Sequence, residues 1–119
     1  MTVRRIKSYS AATGYVYQYH FEEVRPQQQR AGREGTECVY AVSRDRKHTF
    51  IVPVFLRRDA RERWAQTHGR PLNGTEEYAA AKMRLFAAMD EMAELEAGRL
   101  AIEVTPENVE ELLAPLELD

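Results

Sequence analysis

Cysteine is nearly absent from this chain of 119 residues, since Cys38 is the only one. One cysteine cannot form an intrachain disulfide, so the disulfide framework that stabilises many small secreted domains is excluded. A chain of this length can bury an adequate core without disulfides or metals, and we expect one domain over residues 1–119. The single thiol favours a reducing compartment, so we expect a cytoplasmic location.

Long apolar runs are missing as well. The run Ile51–Leu56 includes Pro53 and is far shorter than the ~20 residues that a helix needs to cross a bilayer. Arg4 and Arg5 could begin an export signal, but residues 6–14 are mixed and polar where such a signal needs an apolar core. The sequence therefore predicts neither membrane insertion nor export.

The spacings that mark metal and nucleophile sites are also absent. The side chains that could supply such a site are His20, His48, His68, Cys38, Glu22 and Asp45. They show no C-x-x-C, H-x-x-x-H or HExxH spacing, so we predict no metal, no cofactor and no catalytic residue. The glycines at 32 and 35 lack the following Lys-Ser/Thr pair of a phosphate-binding loop, which argues against nucleotide chemistry.

Two pairs of side chains come closest to a reactive arrangement. In a hairpin that turns near Asp45, Cys38 lies roughly 13–17 Å from His48 at ~3.3 Å per residue, too far for a thiolate–imidazole pair. Cys38 is therefore expected to pack as a small apolar group. His20 and Glu22 share a strand face and could cooperate in proton transfer if a pocket enclosed them, although a solvated strand face is the favoured interpretation.

Three strands are predicted from the first half of the chain. Residues 15–22 alternate aromatic and mostly polar side chains, the period of a half-buried strand. Residues 37–43 and 48–56 are rich in β-branched and aromatic side chains, and the polar residues 44–47 between them can close a hairpin. Residues 25–35 contain a proline, a glutamine triplet and two glycines, so we predict a mobile surface loop.

The chain then changes to a helical period. Asp59 with Glu62 has the form of a capping box, and Gly69 supplies a left-handed stop, which together predict a short helix over 60–68. Trp64 is expected to anchor this helix on the surface of the fold, because its apolar stripe is narrow.

The strongest helix is predicted over residues 75–97, where apolar side chains cover about half of the helix circumference. Residues 100–104 alternate as a fourth strand, and a last helix follows over 106–113. The order is β-β-β-α-α-β-α. We therefore predict the α+β class, with an antiparallel sheet of three to four strands and helices mainly on one face.

Charge is distributed unevenly along the chain. Residues 1–70 carry 14 Lys and Arg against 7 Asp and Glu, whereas residues 71–119 carry 3 against 12. Such asymmetry suggests a charged partner, but the favoured interpretation is that the two halves fold together and partly neutralise each other.

An aromatic row on the first strand allows two interpretations. Its members are Tyr15, Tyr17, Tyr19 and Phe21. Exposed beside basic side chains, such a row could stack single-stranded bases, with Arg44, Arg46 and Lys47 as anion contacts. The simpler interpretation is that the row is the core face on which helix 75–97 lies, because four large aromatics in solvent would be an unusual patch.

These observations leave the function unassigned and rank three hypotheses. The favoured one is a non-enzymatic protein-interaction module that binds itself, as a homodimer, or another protein. The alternative is a nucleic-acid-binding domain that uses the basic N-terminal two-thirds, although the acidic C-terminal third opposes a polyanion. The third is an enzyme whose catalytic groups converge from distant segments without forming a motif.

Self-association is suggested by residues 48–56, which are apolar on both faces of a predicted strand. One helix can cover one face, and a two-fold dimer is the commonest way to cover the other. We expect Tyr40, Phe50 and Val52 at such an interface. The competing interpretation is that residues 104–118 wrap back and complete a monomeric core.

Overall fold

A computed structural model, which describes residues 5–91 and 102–117, shows a five-stranded mixed sheet with helices packed against it. The elements are β1 (Lys7–Ser10), β2 (Val16–Arg30), β3 (Arg33–Ser43), β4 (Thr49–Arg57), α1 (Arg58–His68), α2 (Gly74–Glu91), β5 (Glu103–Val104) and α3 (Val109–Leu113). The strands lie in the order β1-β2-β3-β4-β5; β4 and β5 run parallel, and the other pairs are antiparallel. The α+β class is confirmed, whereas the prediction of three to four antiparallel strands is wrong.

The strand missed in the sequence is β1, which pairs with the first residues of β2. Its side chains are mostly polar, so it lacks an apolar alternation. Tyr9 fixes it to α2: the Tyr9 ring stacks on Phe86 with centroids 4.2 Å apart, and its hydroxyl donates a hydrogen bond of 2.7 Å to Asp90. β1 is therefore held by one aromatic side chain and its ladder with β2.

The prediction of a loop over 25–35 is wrong, because β2 and β3 continue through it and turn at residues 31–32. Register shifts between Phe21 and Glu23 and between Arg25 and Gln28 absorb the irregular residues. The second shift holds Pro26, which cannot donate a ladder hydrogen bond and is tolerated at bulges and edges. Proline and glutamine therefore mark a bulge in a long hairpin.

The core lies between one face of the sheet and the helices. Tyr17, Tyr19 and Tyr40 are buried there together with Leu85 and Met89 of α2. The aromatic row of β2 is thus mainly a core face, as the simpler interpretation predicted, and Tyr15 at its start is the exposed member. The part of the predicted helix 75–97 beyond residue 91 lies outside the described residues.

The two longer helices begin differently from the prediction. At α1, no side chain caps the N-terminus within the described residues, and Asp59 instead pairs with Arg57, whose Nε lies 2.8 Å from Oδ1. The capping box forms at α2: Asn73 Oδ1 accepts from the Glu76 backbone N–H at 2.8 Å, and Glu76 Oε1 accepts from the Asn73 N–H at 3.0 Å. Gly69 ends α1 with φ 75°, as predicted.

The described part of the C-terminal segment packs into the core of the fold. Val104, Val109 and Leu113 are buried in the same cluster as Tyr17 and Leu85. Of the prediction for residues 100–104, the described part shows Glu103 and Val104 as strand. The interpretation that the C-terminal residues wrap back onto the sheet therefore matches the described part of the chain.

Charged side chains join the basic and acidic halves of the sequence. Arg61 pairs with Glu77, Arg70 with Glu76, His68 with Glu110 and Arg30 with Glu103. Arg70 and the Asn73 N–H lower the pKa of Glu76 to about 2, because both stabilise its charged form. The charge asymmetry is thus partly neutralised inside the fold, as predicted. No described helix is both long and apolar enough to cross a membrane.

On the opposite face, Arg30 covers one end of the sheet. Its guanidinium lies 4.9 Å from the ring centroid of Phe55, bonds Glu37 at 3.3 Å and donates to the carbonyl of Ile102 at 3.3 Å. Phe55 is fully buried although no described helix covers this face. One arginine from the hairpin therefore closes the β5 end of this face, which is called the helix-free face below because no helix of the described residues packs on it, and the β1 end stays open.

Gly35 provides a test of this close packing. A Cβ at Gly35 would overlap the Leu56 carbonyl oxygen and lie 2.8 Å from the Phe55 ring, whereas a Cβ at Gly74 would meet nothing within 4 Å. We expect Gly35→Ala to lower the free energy of unfolding by about 1–3 kcal/mol through overpacking. Gly74→Ala is the matched control and should leave stability unchanged or raise it slightly. Urea denaturation measures both, and equal effects would contradict the close approach.

Candidate functional site in a groove on the helix-free face

A row of polar side chains crosses four strands on the helix-free face. The ladder places Ser8 of β1 opposite Gln18 of β2, Gln18 opposite Ser43 of β3, and Ser43 opposite Thr49 of β4. Residues paired across strands project from the same face of a sheet. Three hydroxyls and one amide therefore line up on a surface that carries no described helix.

The next row places a histidine beside aliphatic side chains. His20 pairs with Ala41, and Ala41 pairs with Ile51. Glu22 lies in the bulge between residues 21 and 23, and His20 Nε2 lies 2.6 Å from Glu22 Oε1. These side chains are 21% and 30% exposed, so the pair is partly accessible on this face. The predicted shared face is thus observed, with direct contact.

Together the two rows form the floor of a groove of about 390 Å³. Its lining residues are Ile6, Ser8, Gln18, Tyr19, His20, Ala41, Val42, Ser43, Arg46 and Thr49. None of these described residues carries a carboxylate, in a chain with 19 Asp and Glu. The groove therefore has a net positive lining on an acidic protein.

The β3–β4 turn brings Arg46 to the groove. The Asp45 carboxylate accepts hydrogen bonds from the backbone N–H groups of Lys47 and His48 at 2.8 Å, and from His48 Nδ1 at 2.7 Å. The hydrogen bond from the His48 ring is the largest of several causes that hold the pKa of Asp45 well below its usual range. The Arg46 N–H donates to Ser43 Oγ at 2.9 Å, which links the turn to the polar row.

Gln18 has unused hydrogen-bonding capacity at the centre of the polar row. Its Nε2 faces Ser8 Oγ at 3.5 Å, and its buried Oε1 has no hydrogen-bond partner among the described residues. A buried acceptor without a partner costs free energy, and a bound donor would remove that cost. Gln18 therefore places a buried acceptor without a described partner beneath the polar row.

Of the predicted anion contacts, the structure brings only Arg46 into the lining of the groove. Arg44 lies 4.4 Å from the ring centroid of Tyr15, and Lys47 is exposed in the turn. The aromatic row that a nucleic-acid platform would need is mostly buried under α2. Binding of nucleic acid by these basic side chains stays a prediction.

Two of the residues expected at a dimer interface are buried in the core of the fold, where a second molecule cannot reach them. Tyr40 and Val52 are 0% and 3% exposed inside the core, and Phe50 packs at the margin of that core. A partner molecule could not contact Tyr40 or Val52 unless the helices moved away. On the opposite face, Ile51 is 54% exposed.

Cys38 is buried, and its burial raises the pKa of the thiol to about 11, which keeps it protonated near neutral pH. It pairs with Val54 in the second half of β4, whereas His48 precedes the first residue of that strand. The geometry therefore separates the Cys38–His48 pair, as predicted. Across residues 5–91 and 102–117, no three His, Cys, Asp or Glu side chains cluster in a way that could hold a metal ion.

Sequence reasoning missed the polar row as a site. Gln18 and His20 are the polar positions that alternate with the aromatic row, so their common face was visible in the pattern. The position of Ser8 on this face could not be seen in the sequence, because β1 was not predicted. Ser43 and Thr49 flank a turn and gave no signal of pairing across two further strands.

Comparison with known proteins adds no relative: no family model matches the chain, and neither the curated proteins nor the solved structures contain a significant match.

The His20–Glu22 contact makes a testable prediction about tautomers. An ionised Glu22 accepts from His20 Nε2–H, so Nδ1 is the lone-pair nitrogen, whereas His48 donates from Nδ1 to Asp45. We expect ¹⁵N shifts of the neutral rings to show Nε2–H for His20 and Nδ1–H for His48. Glu22→Ala should remove the preference at His20 and leave His48, the internal control, unchanged. The same tautomer at both rings would contradict this geometry.

Proposed function

We propose that this chain is a non-enzymatic binding module whose groove takes a small amphipathic molecule bearing one carboxylate. The observation that carries the proposal is the composition of the groove: Arg46, His20 and the polar row converge where no lining residue is acidic. Pockets with a few convergent polar groups on an otherwise apolar lining are typical of small-molecule sites. The volume of about 390 Å³ suits a ligand of modest size.

The charge of the lining supports a monoanion. Arg46 contributes one guanidinium, and no carboxylate among the described residues forms an ion pair with it. A guanidinium matches the two oxygens of a carboxylate through parallel hydrogen bonds. The hydroxyls of Ser8, Ser43 and Thr49 can complete the coordination, as neutral donors that add no further charge.

The apolar side of the groove supports an aliphatic body on the ligand. Ile6, Ala41 and Val42 line it, and Ile6 is 64% exposed. Covering such a side chain removes apolar surface from water, and each buried CH₂ contributes about 0.8 kcal/mol. A short alkyl carboxylate would therefore use both the charged and the apolar parts of the lining.

We expect hexanoate to shift the amide resonances of Ser8, Gln18, Ser43 and Thr49 in a titration followed by NMR. Arg46→Gln should weaken binding about tenfold, the value of one charge-assisted hydrogen bond. Lys47→Gln, in the same turn but outside the groove, is the matched control and should bind like the wild type. Hexanamide has the same length without the charge, and equal binding of hexanamide would contradict the proposal.

A second candidate function, self-association, is favoured by the exposed apolar side chains on the same face. Ile6 and Ile51 are 64% and 54% exposed. A two-fold contact that stacks two helix-free faces would bury both isoleucines and cover the groove.

Light scattering at micromolar concentration tests self-association. A dimer mass that returns to the monomer mass in Ile51→Ser would support it, with Val24→Ser as the control because Val24 is similarly exposed, at 49%. A monomer mass for the wild-type protein would reject this candidate and leave the groove proposal untouched.

A further inference from the structure

A histidine and a carboxylate lie in contact at one boundary of the groove. His20 lines the groove and also a second cleft beside it, whereas Glu22 lines the second cleft and not the groove. His20 Nε2 lies 2.6 Å from Glu22 Oε1, and the two side chains are 21% and 30% exposed. The histidine therefore belongs to the groove, and its carboxylate partner lies directly beside it.

The net charge of this pair depends on whether His20 binds a proton. With a neutral imidazole, the pair carries the single negative charge of the Glu22 carboxylate, whereas with a protonated imidazole it is neutral overall. Histidine is the side chain that ordinarily changes its charge between pH 5 and 8. A carboxylate bound in the groove would be repelled by the first state of the pair and not by the second.

The other groups that face His20 keep a constant charge over this pH range. Three cations border the groove or the second cleft: Arg5, Lys7 and Arg46. Their positive charge does not change between pH 5.5 and 8. Tyr19 and Tyr78 are uncharged, because burial raises the pKa of both phenols. On β3 the residue opposite His20 is Ala41, which carries no charge. Among the described residues that line the groove, His20 is thus the one whose protonation changes the local field.

We propose that the His20–Glu22 pair makes the groove a proton-linked site, which holds an alkyl carboxylate more tightly at mildly acid pH than at pH 8. The inference rests on the function proposed for the groove and adds its regulation by protons. Arg46 attracts the carboxylate at every pH, and the pair on β2 changes the strength of that attraction. Because protonation changes the charge beside the ligand by one unit, we expect affinity to change about fivefold, and less at high salt.

Proton and ligand have to affect each other equally, because linkage between two binding events is reciprocal. If protonation of His20 tightens hexanoate binding fivefold, bound hexanoate moves the midpoint of the His20 titration up by about 0.7 pH unit. NMR of the imidazole protons measures this midpoint in the wild-type protein, with and without hexanoate. His68, on α1, is the internal control and should not respond. An unchanged His20 midpoint in saturating hexanoate would overturn the inference.

Two neighbouring carboxylates provide a matched pair of variants. Glu22→Gln removes the negative charge that contacts His20, so it should bind hexanoate at pH 8 about fivefold more tightly than the wild-type protein does. Glu23→Gln removes the same charge from the next residue, which pairs with Arg25 at 2.8 Å and does not line the groove. It should bind hexanoate like the wild type, and equal effects of the two substitutions would contradict the role of the pair.

His20→Gln separates a failure of this inference from a failure of the groove proposal. Calorimetry should show that this variant binds hexanoate at pH 5.5 and at pH 8 as weakly as the wild type does at pH 8, with folding checked by thermal unfolding. If the wild type binds equally at both pH values while Arg46→Gln still weakens binding, the inference is overturned and the proposed function stands. If hexanoate does not bind at either pH, both are overturned.

Discussion

The packing of α2 against the aromatic row of β2 is the contact on which the rest of the structure depends. Tyr17 and Tyr19 of β2 share one buried cluster with Leu85, Ala88 and Met89 of α2. The same cluster contains the buried side chains of α1 and α3, so all described helices contribute to one face of the sheet. The other face consequently carries the polar positions of β2 together with apolar side chains of β3 and β4 such as Ala41 and Ile51, and this is where the groove lies.

The two ends of the helix-free face differ because the hairpin of β2 and β3 is long and bent. At the β5 end, Arg30 lies over Phe55 and contacts Glu37, so the apolar side chain there is covered. At the β1 end, the turn that holds Arg46 borders an open groove. Arg30 thus covers an apolar side chain at one end of this face, whereas Arg46 borders the groove at the other end.

Much of the fold could be predicted because its main strands and helices show a clear period. The aromatic alternation predicted the strand that is β2, and the polar turn near Asp45 predicted the hairpin of β3 and β4. The strands that the sequence did not predict are those that depend on residues far away in the sequence or on an irregular pairing. β1 depends on Tyr9 meeting Phe86 and Asp90, and the segment around Pro26 becomes strand because a bulge accommodates it.

The candidate sites were less predictable, because each is assembled from several strands. His20 and Glu22 were visible as neighbours on one face, but the bulge at Glu22 and the direct contact of the two side chains were not. Arg46 was singled out for its charge, without any indication of the surface it borders.

The unequal lengths of β1 and β2 have a consequence for how this protein behaves in a crowded solution. β1 pairs only with residues 16–19, so the rest of β2 is an outer strand in the described sheet, with backbone donors and acceptors turned outward. Such edges invite strands of other molecules to add, which is a route to aggregation. Here Glu23, Arg25 and Pro26 lie along that edge, between and within two bulges. An incoming strand would meet charge, a missing donor and a broken register, so the irregular composition of this segment disfavours strand addition at this edge.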